Sequence, residues 1–306
     1  MLCYDLKTMA RCEITGPSVV ALGTFDGAHL GHLSVFSSCV SLAKRLGAKS
    51  VVYTFSAIPR NSLPNQASRS IFTLEEKIKA IRQAGIDYAC IERFEDVSNF
   101  SGNDFMESIL VGELKAIGAC CGFNFRFGHG ASFTAHDLRD FFENRGGCVN
   151  ICDKIPFKSD VLSSSVIRCF IERGEVEEIL SVSRPYSICA EVEHGKALGA
   201  TIGIPTINQR FPEGKVVPAS GVYITECEIG EDVYPSITNV GVRPTVENNG
   251  VQNMETHIIG YDGNLYGSHI RVNFYKRLRD EAKFSSVEEL KAEIMRNKED
   301  AIKYFK

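Results

Sequence analysis

The sequence predicts an α/β domain built on a parallel, doubly wound sheet, followed by an antiparallel β-barrel with a terminal helix. Three observations carry this. Between residue 18 and about residue 151, short runs rich in β-branched residues alternate with helical patterns, which is how a parallel sheet reads. From residue 186 onward, extended runs succeed one another with only turn residues between them, as in a barrel. The final stretch returns to helical period, with Val287, Leu290, Ile294 and Ile302 on one face. A chain of 306 residues is long enough for two such domains, each with its own core.

The elements follow in order. Residues 18–22, Ser-Val-Val-Ala-Leu, read as a buried strand. Residues 23–32, Gly-Thr-Phe-Asp-Gly-Ala-His-Leu-Gly-His, read as a glycine-bracketed turn opening a helix. That helix runs to about Arg45 with Leu33, Phe36, Val40, Leu42, Ala43 and Leu46 apolar. Residues 50–55 form the next strand, and a polar loop with Pro59 and Pro64 follows. Thr73-Leu-Glu-Glu76 is a capping box for a helix to about Ala84. Residues 88–91 are a strand, and Ser101 or Asn103 caps a helix over 104–114. A strand over 116–121 leads into Gly122-Phe-Asn-Phe-Arg-Phe-Gly128, then a helix over 136–144 and a strand over 148–151. Leu162-Ser-Ser-Ser-Val-Ile-Arg168 opens a helix to about Gly174, with a short helix over 176–182 after it. The pattern changes near Arg184-Pro-Tyr186. Extended runs then cover 186–192, 221–229, 234–240, 255–261 and 268–275, and the last helix begins at Ser286.

Bulk properties narrow the function. A net charge of −4 gives no domain-wide basic field, so nucleic acid is not an expected partner. No apolar run reaches the ~20 residues of a membrane span, and the first residues lack the charge and apolar core of a signal peptide. The expected location is cytoplasmic. Eleven cysteines show no C-x-x-C pair, so they are expected to be reduced thiols that fill the core, with no metal role.

The turn at residues 23–32 is where chemistry is expected first. A strand, a glycine turn and a helix start expose free backbone N–H groups and a positive dipole end, which suits phosphate. His29 and His32, three apart, share one helical face and stay neutral donors at such a position. This form, Gly-x-Phe-Asp-Gly-x-His-x-Gly-His, resembles the H-x-G-H nucleotidyltransferases, and further motifs follow in order. They are Thr54-Phe55, Gly122-x-Asn-Phe-Arg-Phe-Gly128 and Ser163-Ser-Ser-x-Ile-Arg168. The second half resembles the flavokinase module: Leu198-Gly199, Gly203-x-Pro-Thr-x-Asn208, Gly221-Val-Tyr223, Asn239-x-Gly-x-Arg-Pro-Thr245, Glu255-Thr-His257, Leu265-Tyr-Gly267 and Arg277-Leu-Arg279. Together these resemble the bacterial bifunctional riboflavin kinase/FAD synthetase family over nearly the whole chain.

The resemblance implies a Rossmann-like nucleotidyltransferase domain over 1–183, transferring AMP from ATP to FMN, and a flavokinase domain over 184–306. In the first, Gly23, Phe25, Asp26, Gly27, His29 and His32 would meet the ATP phosphates, Asn124 ATP or FMN, and Ser164 and Arg168 the leaving pyrophosphate. In the second, Gly203 would lie at ATP, Thr206 and Asn208 would hold Mg²⁺, Glu255 would be the general base, and Arg279 would close on flavin. Substrates are riboflavin, FMN and ATP, with FAD the final product; oligomeric state stays open. Three departures from the family pattern stand out: Ser56-Ala-Ile-Pro59 where an acidic residue, Pro, His and Pro are usual, Ala200 in place of arginine, and Gly260 in place of aspartate. The first leaves a kinase with a weakened adenylyltransferase as one alternative. A non-catalytic flavin sensor is another.

Overall fold

A computed structural model describes residues 1–58, 69–195, 199, 203–242 and 252–306. Pro59, Pro64, Leu198, Ala200 and residues 243–245 lie outside the described residues. The chain divides into two compact units, Met1–Val166 and Ile167–Lys306.

The first unit is a six-stranded sheet. Its strands are β1 (Leu2–Asp5), β2 (Ser18–Leu22), β3 (Lys49–Phe55), β4 (Tyr88–Glu92), β5 (Ala116–Gly122) and β6 (Cys148–Cys152), in the order β1-β4-β3-β2-β5-β6. All neighbours run parallel except the edge strand β1, which pairs antiparallel with β4. The alternating pattern foresaw the parallel strands and missed β1, a four-residue edge. β2 is buried along its whole length because both faces of the sheet are covered. Val20 and Leu22 enter one core, with Phe105, Leu110, Leu138 and Phe142. Val19 and Ala21 enter the other, with Phe36, Leu42 and Ile81. The chain order reverses at β2, so the loop leaving it opens at a topological switch point, where α/β sheets bind ligands.

α1 (Leu30–Leu46) follows that loop and ends on Gly47 in the left-handed conformation. Its buried stripe is Val35, Phe36, Cys39, Leu42 and Ala43, while Leu33 and Leu46 face outward. Cys39 and Val35 thus replace those leucines in the expected face. α2 (Leu74–Gln83) carries the expected capping box, Thr73 with Glu76. Ser101 is the cap of the next helix, α3 (Gly102–Asp104), which continues as a π-helix over Phe105–Glu113. α4 (Ala135–Glu143) precedes β6. The expectation of free thiols is corrected at one place: Cys3 and Cys90 form a disulfide. They are directly opposed on β1 and β4, a pairing that brings side chains together and that spacing along the chain could not reveal.

α5 (Ser164–Arg173) takes its cap from Ser163, whose hydroxyl accepts from Val166 N–H at 3.3 Å. Residues Val176–Ile179 form a 3₁₀ turn, shorter than the helix expected there.

The barrel has six antiparallel strands: β7 (Tyr186–Glu191), β8 (Ile207–Arg210), β9 (Gly221–Ile229), β10 (Asp232–Val242), β11 (Gln252–Ile258) and β12 (His269–Arg279). Their order is β7-β12-β9-β10-β11-β8. β7 and β8 nearly close the barrel through Glu193 N–H donating to Asn208 C=O at 2.8 Å. Gln209 Nε2 adds bonds to the carbonyls of Ala190 (2.6 Å) and Ile270 (2.8 Å). β8 was not foreseen as a strand because its four residues sit inside a Gly-Pro-Thr-Asn stretch that reads as turn. Hydroxyls of Thr225, Ser236, Thr238 and Thr256 bond one another inside the barrel, so these buried groups are satisfied. α6 (Val287–Tyr304) starts from Ser286 as expected. Its buried residues are Asn297 and Ala301, with Ile294 packed beside Ile224 and Ile237; Val287 is exposed.

Candidate active sites

The loop between β2 and α1 is fixed at three points. Asp26 is buried, and its carboxylate accepts from the N–H groups of Ile71 (2.9 Å) and Phe72 (2.9 Å). Its own carbonyl accepts from Ser164 Oγ at 2.7 Å. Thr54 Oγ1, at the end of β3, donates to Thr24 C=O at 3.1 Å. Asp26 and Ser164, expected at phosphate, thus brace the loop from its two sides. The backbone bends sharply here: Phe25, Gly27 and Ala28 have φ of 48°, 86° and 39°. Two of these are not glycine, and a conformation costing ~1–3 kcal/mol each persists only where surroundings impose it. Phe25 is buried against His32 and Phe36, and a Cβ at Gly27 would lie 3.0 Å from Ile71.

His29 and His32 stack with ring centroids 3.8 Å apart, and both Nδ1 atoms are buried with no hydrogen-bond partner among the described residues. A Cβ on Gly31 would meet the His29 ring at 3.0 Å, so glycine lets the ring lie against the helix. Burial lowers the His29 pKa to about 4, and burial, then His29 and the Lys77 charge, holds His32 well below its ordinary value. Both imidazoles are therefore neutral at pH 7, with one N–H to donate each.

Lys77 is the residue that sequence reading missed. It is 4% exposed, its Nζ donates to Phe55 C=O at 2.8 Å, and burial, offset by Asp26, lowers its pKa to about 8. The available signal was its place four residues before buried Ile81, on the inner face of α2. Gly23 leads off the loop, and a Cβ there would lie 3.0 Å from the Phe25 ring. Asn124 is exposed in the turn beyond β5, the strand paired with β2, so the two loops leave the same end of the sheet. Arg168 is buried one helical turn beyond Ser164 on α5.

In the barrel, strand register does the assembling. Asn208 on β8 lies opposite Glu255 on β11, and Asn239 on β10 lies opposite Glu255 from the other side. Glu255 is exposed, while its neighbours Met254 and Thr256 point into the core. Thr206 is half-buried and Asn208 is buried. Gly195 packs on the Asn208 amide so closely that a Cβ would come within 2.3 Å of Nδ2, a second residue not foreseen. Gly203 sits at φ +77°, a turn that favours glycine. The hydroxyl of Thr206 and amide oxygen of Asn208 are hard, neutral oxygens, a donor set that suits Mg²⁺ shared with phosphate. Among the described residues, no cluster of three His, Cys, Asp or Glu could hold a metal. Arg279 is engaged with the terminal helix, donating to Asn297 Oδ1 at 3.1 Å and pairing with Glu293 at 3.3 Å.

No helix among the described residues is long and apolar enough to cross a membrane. Residues 12–166 match the family model for FAD synthetase, and residues 182–305 match that for riboflavin kinase. A bifunctional riboflavin kinase/FMN adenylyltransferase from Bacillus subtilis is 33% identical over 96% of this chain and 94% of its own. The Listeria monocytogenes protein of that description is 31% identical, covering 94% and 92%. Among solved structures, a chain described as a macrolide-efflux protein from Streptococcus pneumoniae superposes with a TM-score of 0.85. It is 27% identical over 96% of both chains. With both halves matched and relatives aligned end to end, the chain belongs to the bifunctional riboflavin kinase/FMN adenylyltransferase family.

Proposed function

We propose that residues 184–306 phosphorylate riboflavin to FMN with ATP, and that residues 1–183 transfer AMP from a second ATP to FMN, giving FAD and pyrophosphate. The observation that carries this reading is that each family-matched segment holds its own polar constellation, the stacked histidines in one and the Asn208–Glu255 register pair in the other.

In the kinase reaction Glu255 accepts the proton of the riboflavin 5′-hydroxyl as its oxygen attacks the γ-phosphorus. Thr206 and Asn208 would hold Mg²⁺, which would supply neutralisation of the phosphate charge. Gly203 lets the backbone turn close to the nucleotide. In the adenylyl transfer a phosphate oxygen of FMN attacks the α-phosphorus of ATP, and the bond to pyrophosphate breaks. This needs positioning and charge stabilisation, with no protein nucleophile. His29 and His32 donate neutral N–H groups to the phosphates, beside the backbone N–H groups at the start of α1. Arg168 stabilises pyrophosphate, Asn124 contacts FMN or ATP, and Lys77 adds a fixed positive charge. A cytoplasmic location, where ATP is supplied, belongs to the same reading.

The test is a time course with riboflavin, ATP and Mg²⁺, resolving FMN from FAD. FMN should rise first and FAD follow. FMN without FAD would leave only the kinase; neither product would leave a flavin-binding protein.

A further inference from the structure

The ladder between β8 and β11 starts at Ile207 opposite Thr256. Thr206 therefore sits one residue before the first paired position, and Pro205 before it has no N–H to contribute. Ile204 N–H donates to the Gly199 carbonyl at 2.8 Å on the far side of this turn, and a side chain holds it on the near side, toward β11. His257 Nδ1 lies 2.8 Å from the Pro205 carbonyl, and because a carbonyl can only accept, Nδ1 carries the proton and donates. His257 is two residues beyond Glu255 on the same outward face of β11, which makes it the strand residue opposite the Pro205–Thr206 turn.

We propose that His257 is a positioning residue for the kinase site: its Nδ1–H fixes the Pro205–Thr206 turn to the strand that carries Glu255, so that the phosphate-side oxygens and the base keep one register. The inference rests on the kinase reading of Glu255, Thr206 and Asn208. Without the bond, the Pro205–Thr206 end of the turn loses its tie to β11 and Thr206 shifts relative to Glu255, so affinity for the nucleotide falls before the proton transfer does.

The chemistry of the bond supplies the test. An asparagine amide nitrogen can take the place of Nδ1, whereas a glutamine amide reaches the place of Nε2. In the full chain, His257→Gln and His257→Ala should raise the KM for Mg·ATP in FMN formation roughly five- to tenfold, the size expected for one lost hydrogen bond. The Kd of Mg·ADP measured by calorimetry should weaken in parallel, with kcat changed less. His257→Asn should restore both constants. FAD formation from supplied FMN, and the melting curve, check that the variants are folded; should His257→Ala fail there, the near-isosteric Asn and Gln pair decides. Unchanged Mg·ADP binding in His257→Gln, or equal loss in Asn and Gln, would overturn the positioning role. A wild-type chain that makes no FMN would instead overturn the kinase reading, and this inference with it.

Discussion

In the α/β unit the polar groups of the site are held by a bent loop and a helix start, whereas in the barrel they are held by strand register. The loop brings buried groups together: Phe25 and Ala28 at positive φ, a carboxylate turned onto backbone N–H groups, and two stacked neutral imidazoles. Among its described residues the barrel holds no non-glycine at positive φ. Asn208, Glu255 and Asn239 meet because antiparallel pairing places them side by side, with Glu255 in solvent. A loop-built site presents dry, preorganised donors but depends on every brace. A register-built site tolerates change around it and depends on a few oxygens.

Substitutions that act on one half only probe this division. The largest effect is expected for Glu255→Gln, which should lower FMN formation about 10³-fold by removing the base. FAD formation from supplied FMN should persist, and its loss in a folded variant would contradict separate sites. His32→Ala should lower FAD formation about 10²-fold by removing a phosphate donor and its ring stack, leaving FMN formation intact.

Acid separates the halves next. The folded-state pKa of His29, about 4, lies below its ordinary 6.5, so between those values the unfolded chain takes a proton that the folded one refuses. Stability from this group is complete above about pH 6.5 and is lost as pH falls toward 4, amounting to about 3 kcal/mol. The hydrogen-exchange protection factors, which allow for slower intrinsic exchange in acid, should therefore fall in β2 over that window more than in β9. An equal fall in protection in both strands would remove His29 as the cause, and His29→Gln should flatten the β2 response. The smallest effect is expected from Gly31→Ala, whose Cβ would press on the His29 ring at 3.0 Å. A displacement of a few tenths of an ångström should cost FAD formation about three- to fivefold, read as kcat at saturating ATP.

Much of this was legible beforehand because it depends on local order. β2, the capping box at Thr73, the Ser286 cap and the change of pattern at Tyr186 are all properties of neighbouring residues, and each formed where the spacing put it. Short motifs identified the family for the same reason: a phosphate-binding turn needs its glycines and histidines contiguous.

Long-range partners were not legible. Whether a thiol meets another is decided by which strand lies next to which, and so Cys3–Cys90 emerged only with the antiparallel edge. Burial of Lys77, the brace that Asp26 gives to residues 71 and 72, and the His257–Pro205 bond join positions from 22 to 52 residues apart. The sequence by itself determined the alternation of elements, the two halves and the chemistry available in each, since those follow from period and residue type. Only the tertiary structure decided which polar groups were dried, neutralised and held, because desolvation and cross-strand contact are properties of the packed chain.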